Sequence, residues 1–150
     1  MKIVIDTNVL ISGMLNPSGP PGRIVDLLRS GTLQVVVDDR ILSEYTDVLR
    51  RRYFLRYFRE SEREDVIEYL SRNSHYTLSK IVAHEIPDEG DAPFLEIALS
   101  EGVPLITGNL KHYPERARMG CNVLSPRQFI DQFLATGDQC GADAEVIEPK

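Results

Sequence analysis

The sequence predicts an α/β domain built around a parallel β-sheet. An apolar run that begins the chain and ends at Asp6 is typical of a buried strand, and a second such run spans residues 33–37. Between them, residues 21–30 have the spacing of an amphipathic helix. A strand, a helix and a strand in succession form a unit whose two strands are parallel neighbours. With 150 residues, the chain is long enough for one domain with a proper core.

The first half of the chain predicts two further helices. The Gly- and Pro-rich segment 11–21 predicts a loop before the helix at 21–30. Apolar residues then recur at helical spacing from Asp38 to about Arg52, and a third helix is predicted over 60–74. Residues 76–84 carry little pattern and suggest only a short strand around Ile81. The expected buried residues of the two later helices are Ile41, Leu42, Tyr45, Val48 and Leu49, and then Val66, Ile67 and Leu70.

The second half predicts a helix from Asp91 to near Gly102, strands at 103–107 and 121–124, and a last helix that begins at Ser125. The strand at 103–107 is expected to lie beside the first strand of the sheet. Residues 137–150 are small, polar or acidic and lack periodicity, which predicts a disordered tail. The predicted organisation is therefore one domain over 1–136 and a tail over 137–150. The apolar residues of the last helix are Phe129, Ile130, Phe133 and Leu134.

The composition is that of an ordinary soluble protein, with 42% hydrophobic and 27% charged residues. No run approaches the ~18 apolar residues of a membrane span, and the start of the chain lacks the pattern of a signal peptide. We therefore expect a cytoplasmic protein that does not contact membranes. Cys121 and Cys140 have no metal-binding spacing and are expected to be free thiols. The net charge of −6 counts against a polyanionic partner, unless the basic residues are concentrated locally.

Asp6 is the first candidate site residue, because it stands at the carboxyl end of the first predicted strand. Ligands of open α/β sheets bind at the carboxyl ends of the strands. Asp6, Thr7 and Asn8 are also residue types that cap helices. From position alone, capping and ligand binding are equally good explanations of this segment.

Three further segments supply oxygen ligands. Glu44 lies at the edge of the buried helix face, where a carboxylate needs a partner. Asp91 suits a helix N-cap, but capping does not explain why Asp88 and Glu89 crowd the same turn. The strand at 103–107 ends in small polar groups, Thr107, Gly108 and Asn109, which the predicted sheet places beside Asp6.

These oxygen donors would converge on one edge of a parallel sheet. Mg²⁺ and Mn²⁺ prefer such donors and need only two or three carboxylates together with substrate phosphate. A bound ion of this kind can activate a water for attack on a phosphodiester, so that no serine or cysteine nucleophile is required. The acids expected to do this are Asp6, Glu44 and Asp91.

Five arginines fall within residues 50–59, where they alternate with aromatic residues. One interpretation is a helix end whose aromatic side chains pack inward while the arginines stay in water. The other is a groove for single-stranded nucleic acid, in which rings stack on bases and guanidinium groups hold phosphate. The candidate RNA-binding residues are Arg51, Arg52, Tyr53 and Arg56. The three histidines, His75, His84 and His112, have no regular ligand spacing and are expected to be surface or structural residues.

The motifs around these residues resemble those of the PIN-domain family, and more narrowly the VapC-like toxins of VapBC-type toxin–antitoxin pairs. The resemblance rests on four segments in order: Asp6-Thr7-Asn8-Val9-Leu10, Ser43-Glu44-Tyr45, Asp88-x-x-Asp91 with Phe94-Leu95, and Ile106-Thr107-Gly108-Asn109. It implies a three-layer α/β/α fold with a central parallel sheet. It also implies a Mg²⁺- or Mn²⁺-dependent endoribonuclease, often a homodimer, that a small antitoxin protein inhibits.

Carried over by position, Asp6, Glu44 and Asp91 would be the catalytic and metal-binding acids. Asp88 and Asn109 are auxiliary metal candidates, and Asn8 and Thr107 are supporting polar groups. The chain departs from the resemblance at Asn109, where many PIN domains have an aspartate, and an amide brings no charge to a second metal. Two alternatives therefore stay open: a PIN-like RNA-binding or adaptor module with weak or no catalysis, and a nuclease that acts on DNA.

Overall fold

The computed structural model describes the backbone of residues 1–144 and the side chains of residues 1–136. Within this range five strands form one parallel sheet in the order β3-β2-β1-β4-β5. The strands are β1 (Lys2–Ile5), β2 (Gln34–Val37), β3 (His75–Tyr76), β4 (Leu105–Ile106) and β5 (Val123–Leu124). The α-helices are α1 (Thr7–Leu15), α2 (Pro20–Arg29), α3 (Asp39–Leu49), α4 (Glu60–Asn73), α5 (Ala92–Glu101) and α6 (Pro126–Ala144).

Helices cover both faces of the sheet, which confirms the predicted three-layer α/β/α fold. The chain moves from β1 to β2 and on to β3 in one direction across the sheet, and it returns from β3 to β4 through α5. Because parallel crossovers are right-handed, the return places α5 on the face opposite α1 and α2. Helix α5 packs against β1, β2 and β4, whereas α2 packs against α1 and α6. The central strand β1 is buried on both sides, with Ile3, Val4 and Ile5 fully inaccessible to water.

The predicted loop at 11–21 is wrong, because α1 occupies Thr7–Leu15. The glycine that suggested a loop is a packing residue of that helix. A Cβ atom at Gly13 would lie 2.5 Å from both the Pro21 carbonyl oxygen and the Val25 side chain of α2. Gly13 thus lets the two helices approach closely, while Val9, Leu10 and Ile11 bury the apolar face that stabilises α1.

The predicted strand around Ile81 is also wrong. The strand in this region is β3, two residues long, which pairs in parallel with β2 at Val36 and His75. Residues 77–88 are irregular: the Thr77 amide still donates to the Val37 carbonyl of β2 at 3.0 Å, but further along the chain backbone amides bond to side chains. The Ile81 amide donates to the Ser79 hydroxyl at 3.0 Å, and the Ala83 amide donates to the Glu96 carboxylate at 2.9 Å.

The other boundaries agree with the sequence to within a few residues. Helix α3 ends at Leu49, and a 3₁₀ helix, Arg52–Arg56, follows where the prediction continued α3 to Arg52. Helix α6 continues to Ala144 and overlaps the predicted tail at 137–150. The remainder of that tail, residues 145–150, lies outside the described residues, as does the side chain of Cys140. Across residues 1–144, no helix is both long and apolar enough to cross a membrane.

Candidate metal centre

The carboxyl ends of β1 and β4 lie side by side and bring Asp6 next to Thr107. The two strands pair in parallel with Ile5 opposite Ile106, as predicted. The Asp6 amide donates to the Ile106 carbonyl at 2.9 Å, and the Thr107 hydroxyl donates to Asp6 Oδ2 at 3.0 Å. The sheet register therefore fixes the Asp6 carboxylate relative to the polar segment after β4.

Asp6 occupies the N-cap position of α1, but its side chain makes no capping hydrogen bond. The carboxylate instead accepts from Thr107 and, at 3.4 Å, from the hydroxyl of the fully buried Tyr113. Only 5% of Asp6 is exposed, and this burial raises the pKa of its carboxyl group. The Thr107 hydrogen bond, the nearby His112 and the amides of Thr7 and Asn8 oppose that increase in pKa. The carboxylate thus interacts both with the first amides of α1 and with the hydroxyls of Thr107 and Tyr113.

Asp91 approaches Asp6 from the start of α5, where a 3₁₀ turn, Glu89–Asp91, leads into the helix. Its side chain is 15% exposed, and its buried Oδ2 makes no hydrogen bond of normal geometry, although His112 Nδ1 lies 3.3 Å away. Burial, followed by the negative charge of Asp6, raises the pKa of Asp91 to about 6. The buried carboxylate of Asp6 and the partly buried carboxylate of Asp91 repel each other, and a cation would stabilise this arrangement.

Glu44 faces the same region from α3. The Thr7 hydroxyl donates a hydrogen bond to Glu44 Oε2 and provides the partner that this half-buried carboxylate needs. The charge of Glu44 contributes to the raised pKa of Asp91, which indicates that the two carboxylates lie near each other. Glu44 nevertheless lies outside the tightest group of potential ligands, which consists of Asp6, Asp91 and His112.

The remaining predicted residues surround this group. Asn8 accepts from the Gly108 amide at 3.4 Å and so ties α1 to the segment after β4. Asn109 is exposed, and its Oδ1 accepts from the Lys111 amide at 3.2 Å. Asp88 is also exposed and accepts from the Gly90 amide at 2.9 Å. Asn109 and Asp88 thus both serve as caps of short 3₁₀ turns in this structure.

Sequence reasoning missed His112 and Tyr113. His112 Nδ1 lies 3.3 Å from Asp91 Oδ2, and its Nε2 lies 3.0 Å from Asn109 Nδ2. Potential ligand atoms of Asp6, Asp91 and His112 all lie within 4.8 Å of one another. The local signal was the spacing Asn109-x-x-His112. Asn109 caps the short 3₁₀ turn Leu110–His112, and this spacing brings its side chain close to that of His112.

The segment of arginines and aromatic residues at 50–59 has features of both predicted interpretations, because some of its rings are buried and others are exposed. Phe54 is buried, whereas Tyr53 is 61% exposed, with the Arg56 guanidinium 5.9 Å from its ring centroid. Arg51 and Arg52 are exposed. No hydrogen bond or ion pair within the described side chains joins this segment to the acidic site.

The residues of the acidic site suit a divalent cation. The buried Oδ2 of Asp91 accepts no hydrogen bond of normal geometry, whereas most buried polar atoms do. Carboxylate oxygens are the ligands that Mg²⁺ and Mn²⁺ prefer, and neutralising two neighbouring acids would remove their mutual repulsion. Asp6 and Asp91 would hold the ion directly, and Glu44 faces it from α3.

The structure is that of an α/β protein with a parallel sheet between helices. Carboxylates form an acidic cluster at the carboxyl ends of its central strands. The chain belongs to the PIN-domain family, because the family profile described as PIN domain matches residues 2–111. This family consists of nucleases. An uncharacterized protein of Methanocaldococcus jannaschii, MJ1680, is 26% identical over an alignment that covers 89% of this chain and 92% of that protein.

Two solved structures share the fold. VapBC2 from Rickettsia felis, bound to a DNA fragment from its promoter, superposes with a TM-score of 0.55 at 12% identity, covering 83% of this chain and 98% of that chain. PAE2754 from Pyrobaculum aerophilum superposes with a TM-score of 0.58 at 11% identity, covering 90% of each chain. At these identities the likeness concerns the fold.

Proposed function

We propose that this protein is a divalent-metal-dependent endoribonuclease and the toxin of a toxin–antitoxin pair. The observation that carries the proposal is the convergence of the Asp6 and Asp91 carboxylates, with Glu44 near enough for its charge to raise the pKa of Asp91. Carboxylates kept together without a cation are electrostatically unfavourable, which is typical of sites that have a function. Membership of a nuclease family identifies the chemistry for which such a site is suited.

The chain holds these acids in fixed orientations. The hydroxyls of Thr107 and Tyr113 orient the Asp6 carboxylate, and the Thr7 hydroxyl orients Glu44. When bound, Mg²⁺ or Mn²⁺ polarises a phosphoryl oxygen and lowers the pKa of water for attack on the phosphodiester. Because the orienting groups are themselves buried or belong to the sheet edge, the acids need little rearrangement to bind a cation.

The exposed segment 51–56 would guide the RNA strand towards the site. Tyr53 and Arg56 already stack on each other, and they offer a ring and a guanidinium group to a base and a phosphate. This local concentration of arginines offsets the unfavourable net charge of −6 near the substrate. Protein partners follow from the same proposal. A small antitoxin and a second copy of the chain are the expected ones, and the VapBC2 neighbour of similar fold supports the antitoxin.

The direct test is cleavage of a labelled single-stranded RNA, beside a DNA of the same sequence, with Mn²⁺, Mg²⁺ or EDTA. We expect metal-dependent cleavage of RNA that Asp6→Asn abolishes. Asp131→Asn makes the same change of charge at an exposed position of α6 and should leave cleavage intact. Preferential cleavage of DNA would overturn the choice of substrate, and equal activity of Asp6→Asn would show that the cleavage does not arise at this site.

A second candidate, an RNA-binding module without catalysis, is favoured by the state of Asn109. The side-chain oxygen of this residue caps a 3₁₀ turn through the Lys111 amide and carries no charge, so it is a weaker ligand for a second metal ion than an aspartate. A module of this kind would bind the labelled RNA with a steep salt dependence and leave it intact in every metal. Gel-shift measurements on the same samples distinguish it from the ribonuclease.

A further inference from the structure

His112 and Asn109 form a pair at the edge of the acidic site that the proposed function does not explain. His112 is 43% exposed and directs Nδ1 towards Asp91 Oδ2, 3.3 Å away. Its other ring nitrogen lies 3.0 Å from the Asn109 amide. The imidazole thus stands between the Asp91 carboxylate and the Asn109 side-chain amide.

The hydrogen-bond network fixes the proton of this imidazole in the metal-free protein. Asn109 Oδ1 accepts from the Lys111 amide at 3.2 Å, so Nδ2 faces His112. Since Nδ2 donates, His112 Nε2 accepts, and the proton of the neutral ring lies on Nδ1, towards Asp91. In this arrangement the ring nitrogen nearest the acids cannot bind a metal ion.

A half-turn of the Asn109 amide group reverses that assignment. Oδ1 would then face Nε2 at the same 3.0 Å, and Nε2 would carry the proton and donate it to Asn109. Nδ1 would present its lone pair beside Asp91 Oδ2. The cost is one exposed hydrogen bond, from the Lys111 amide to Asn109. Metal-binding histidines regularly donate their other N–H group to a carbonyl or carboxylate in this way.

We propose that His112 is a ligand of the divalent ion, and that Asn109 is the outer partner that orients it. The proposal rests on the metal centre of the proposed function and deepens it. Its geometric basis is that Asp6, Asp91 and His112 place potential ligand atoms within 4.8 Å of one another, whereas Glu44 lies outside that group. Asn109 then stands at the position of the usual aspartate without weakening the site, because it acts on the histidine and not on the metal.

Ion selectivity follows from the donor set. Imidazole is a softer ligand than carboxylate and increases affinity along the series of divalent transition metals, while it adds little for Mg²⁺. A centre with two carboxylates and one imidazole should therefore bind Mn²⁺ or Co²⁺ in preference to Mg²⁺. The chemical class of the ion is thus a divalent first-row transition metal.

The experiment measures the binding of Mn²⁺ and Mg²⁺ by calorimetry, together with pulsed EPR of the Mn²⁺ complex, which detects ¹⁴N nuclei bound to the metal. We expect ¹⁴N coupling in the wild-type protein and its loss in His112→Ala and His112→Gln. Both variants should lose about 10- to 100-fold in affinity for Mn²⁺, and Asn109→Ala about 10-fold. The affinity for Mg²⁺ should change much less. His84→Ala, at an exposed position in the irregular segment 77–88, is the matched control and should keep the coupling and the affinity.

Circular dichroism and melting in EDTA show whether each variant is folded, and His112→Gln provides a second variant should the alanine fail to fold. Mn²⁺ that binds without ¹⁴N coupling, at an affinity that His112→Gln leaves unchanged, overturns the proposal even where RNA is cleaved. Mn²⁺ that binds with histidine coupling supports it even where RNA stays intact, and in that case the ribonuclease proposal fails instead. Absence of Mn²⁺ binding overturns the proposal.

Discussion

Asp91→Asn should stabilise the metal-free protein, because the ionised carboxylate of Asp91 is energetically unfavourable in the folded state. Its pKa is raised from 3.8 to about 6, first by burial and then by the charge of Asp6. Each pKa unit corresponds to about 1.4 kcal/mol, so above pH 6 the ionised carboxylate lowers the free energy of unfolding by at most about 3 kcal/mol. Water that reaches the partly exposed side chain reduces this figure. We therefore expect a gain of about 1–3 kcal/mol.

The gain should appear as a rise in Tm of several degrees in EDTA at pH 7.5, at about 2–4 °C per kcal/mol for a domain of this size. Asparagine resembles the protonated acid in shape and carries no charge. Glu89→Gln removes a charge from an exposed position two residues away and should change Tm little. The wild type, but not Asp91→Asn, should be stabilised by millimolar Mn²⁺ through mass action.

The sign of the pH dependence follows from the same shift. Between pH 3.8 and about 6 the folded protein retains a proton on Asp91 that the unfolded chain has released. The contribution of Asp91 to stability is therefore lost as the pH rises through that window. The difference in Tm between Asp91→Asn and the wild type should be small near pH 4.5, grow towards pH 6 and remain constant above it. A lower Tm for Asp91→Asn in EDTA at pH 7.5 would refute the reasoning, since it would mean that the carboxylate stabilises the fold.

Three further predictions concern packing, a buried carboxylate and the RNA-binding surface. Gly13→Ala should lower the free energy of unfolding by about 1–3 kcal/mol, measured by urea unfolding, because the added methyl group overlaps α2. Glu96→Ala should lower it by about 1–3 kcal/mol in the same assay, because the buried carboxylate accepts from Arg40 at 2.7 Å and from the Ala83 amide at 2.9 Å. Replacing Arg51 and Arg52 by alanine should weaken RNA binding and flatten its dependence on salt, while Mn²⁺ binding stays unchanged.

Each of these has a comparison that decides it. Gly19→Ala adds a methyl group where the nearest atoms lie 3.7 Å away. A loss of stability in Gly19→Ala as large as that in Gly13→Ala would argue against overlap at position 13.

Arg23 and Arg127, both exposed and remote in sequence from 51–56, offer a double alanine variant with the same loss of charge. An equal change in the salt slope for the two double variants would make net charge, and not the segment at 51–56, the cause. If the stability of Glu96→Ala were unchanged, the conformation of the irregular segment 77–88 would not depend on this carboxylate.

The local pattern of the sequence determined most of the fold. Apolar runs that end at Asp6 and Val37 predicted β1 and β2, and helical spacing predicted α2 to α5 within a few residues. The order of these elements implied a parallel sheet, and the neighbouring positions of β1 and β4 followed from it. Asp6 and Asp91 were recognisable because a carboxylate at the end of a strand or at the start of a helix stands out against its local pattern.

Only the tertiary structure decided the features that depend on contacts between distant parts of the chain. Helix α1 continues through Gly13, which packs against α2, and a glycine in sequence does not show whether it breaks a helix or allows close packing. The two residues of β3 are too few to have a period, and their strand conformation comes from pairing with β2. His112 was missed for the same reason. Its partner Asp91 lies in another segment of the chain, and only the folding of α5 and the turn after β4 brings the two side chains together.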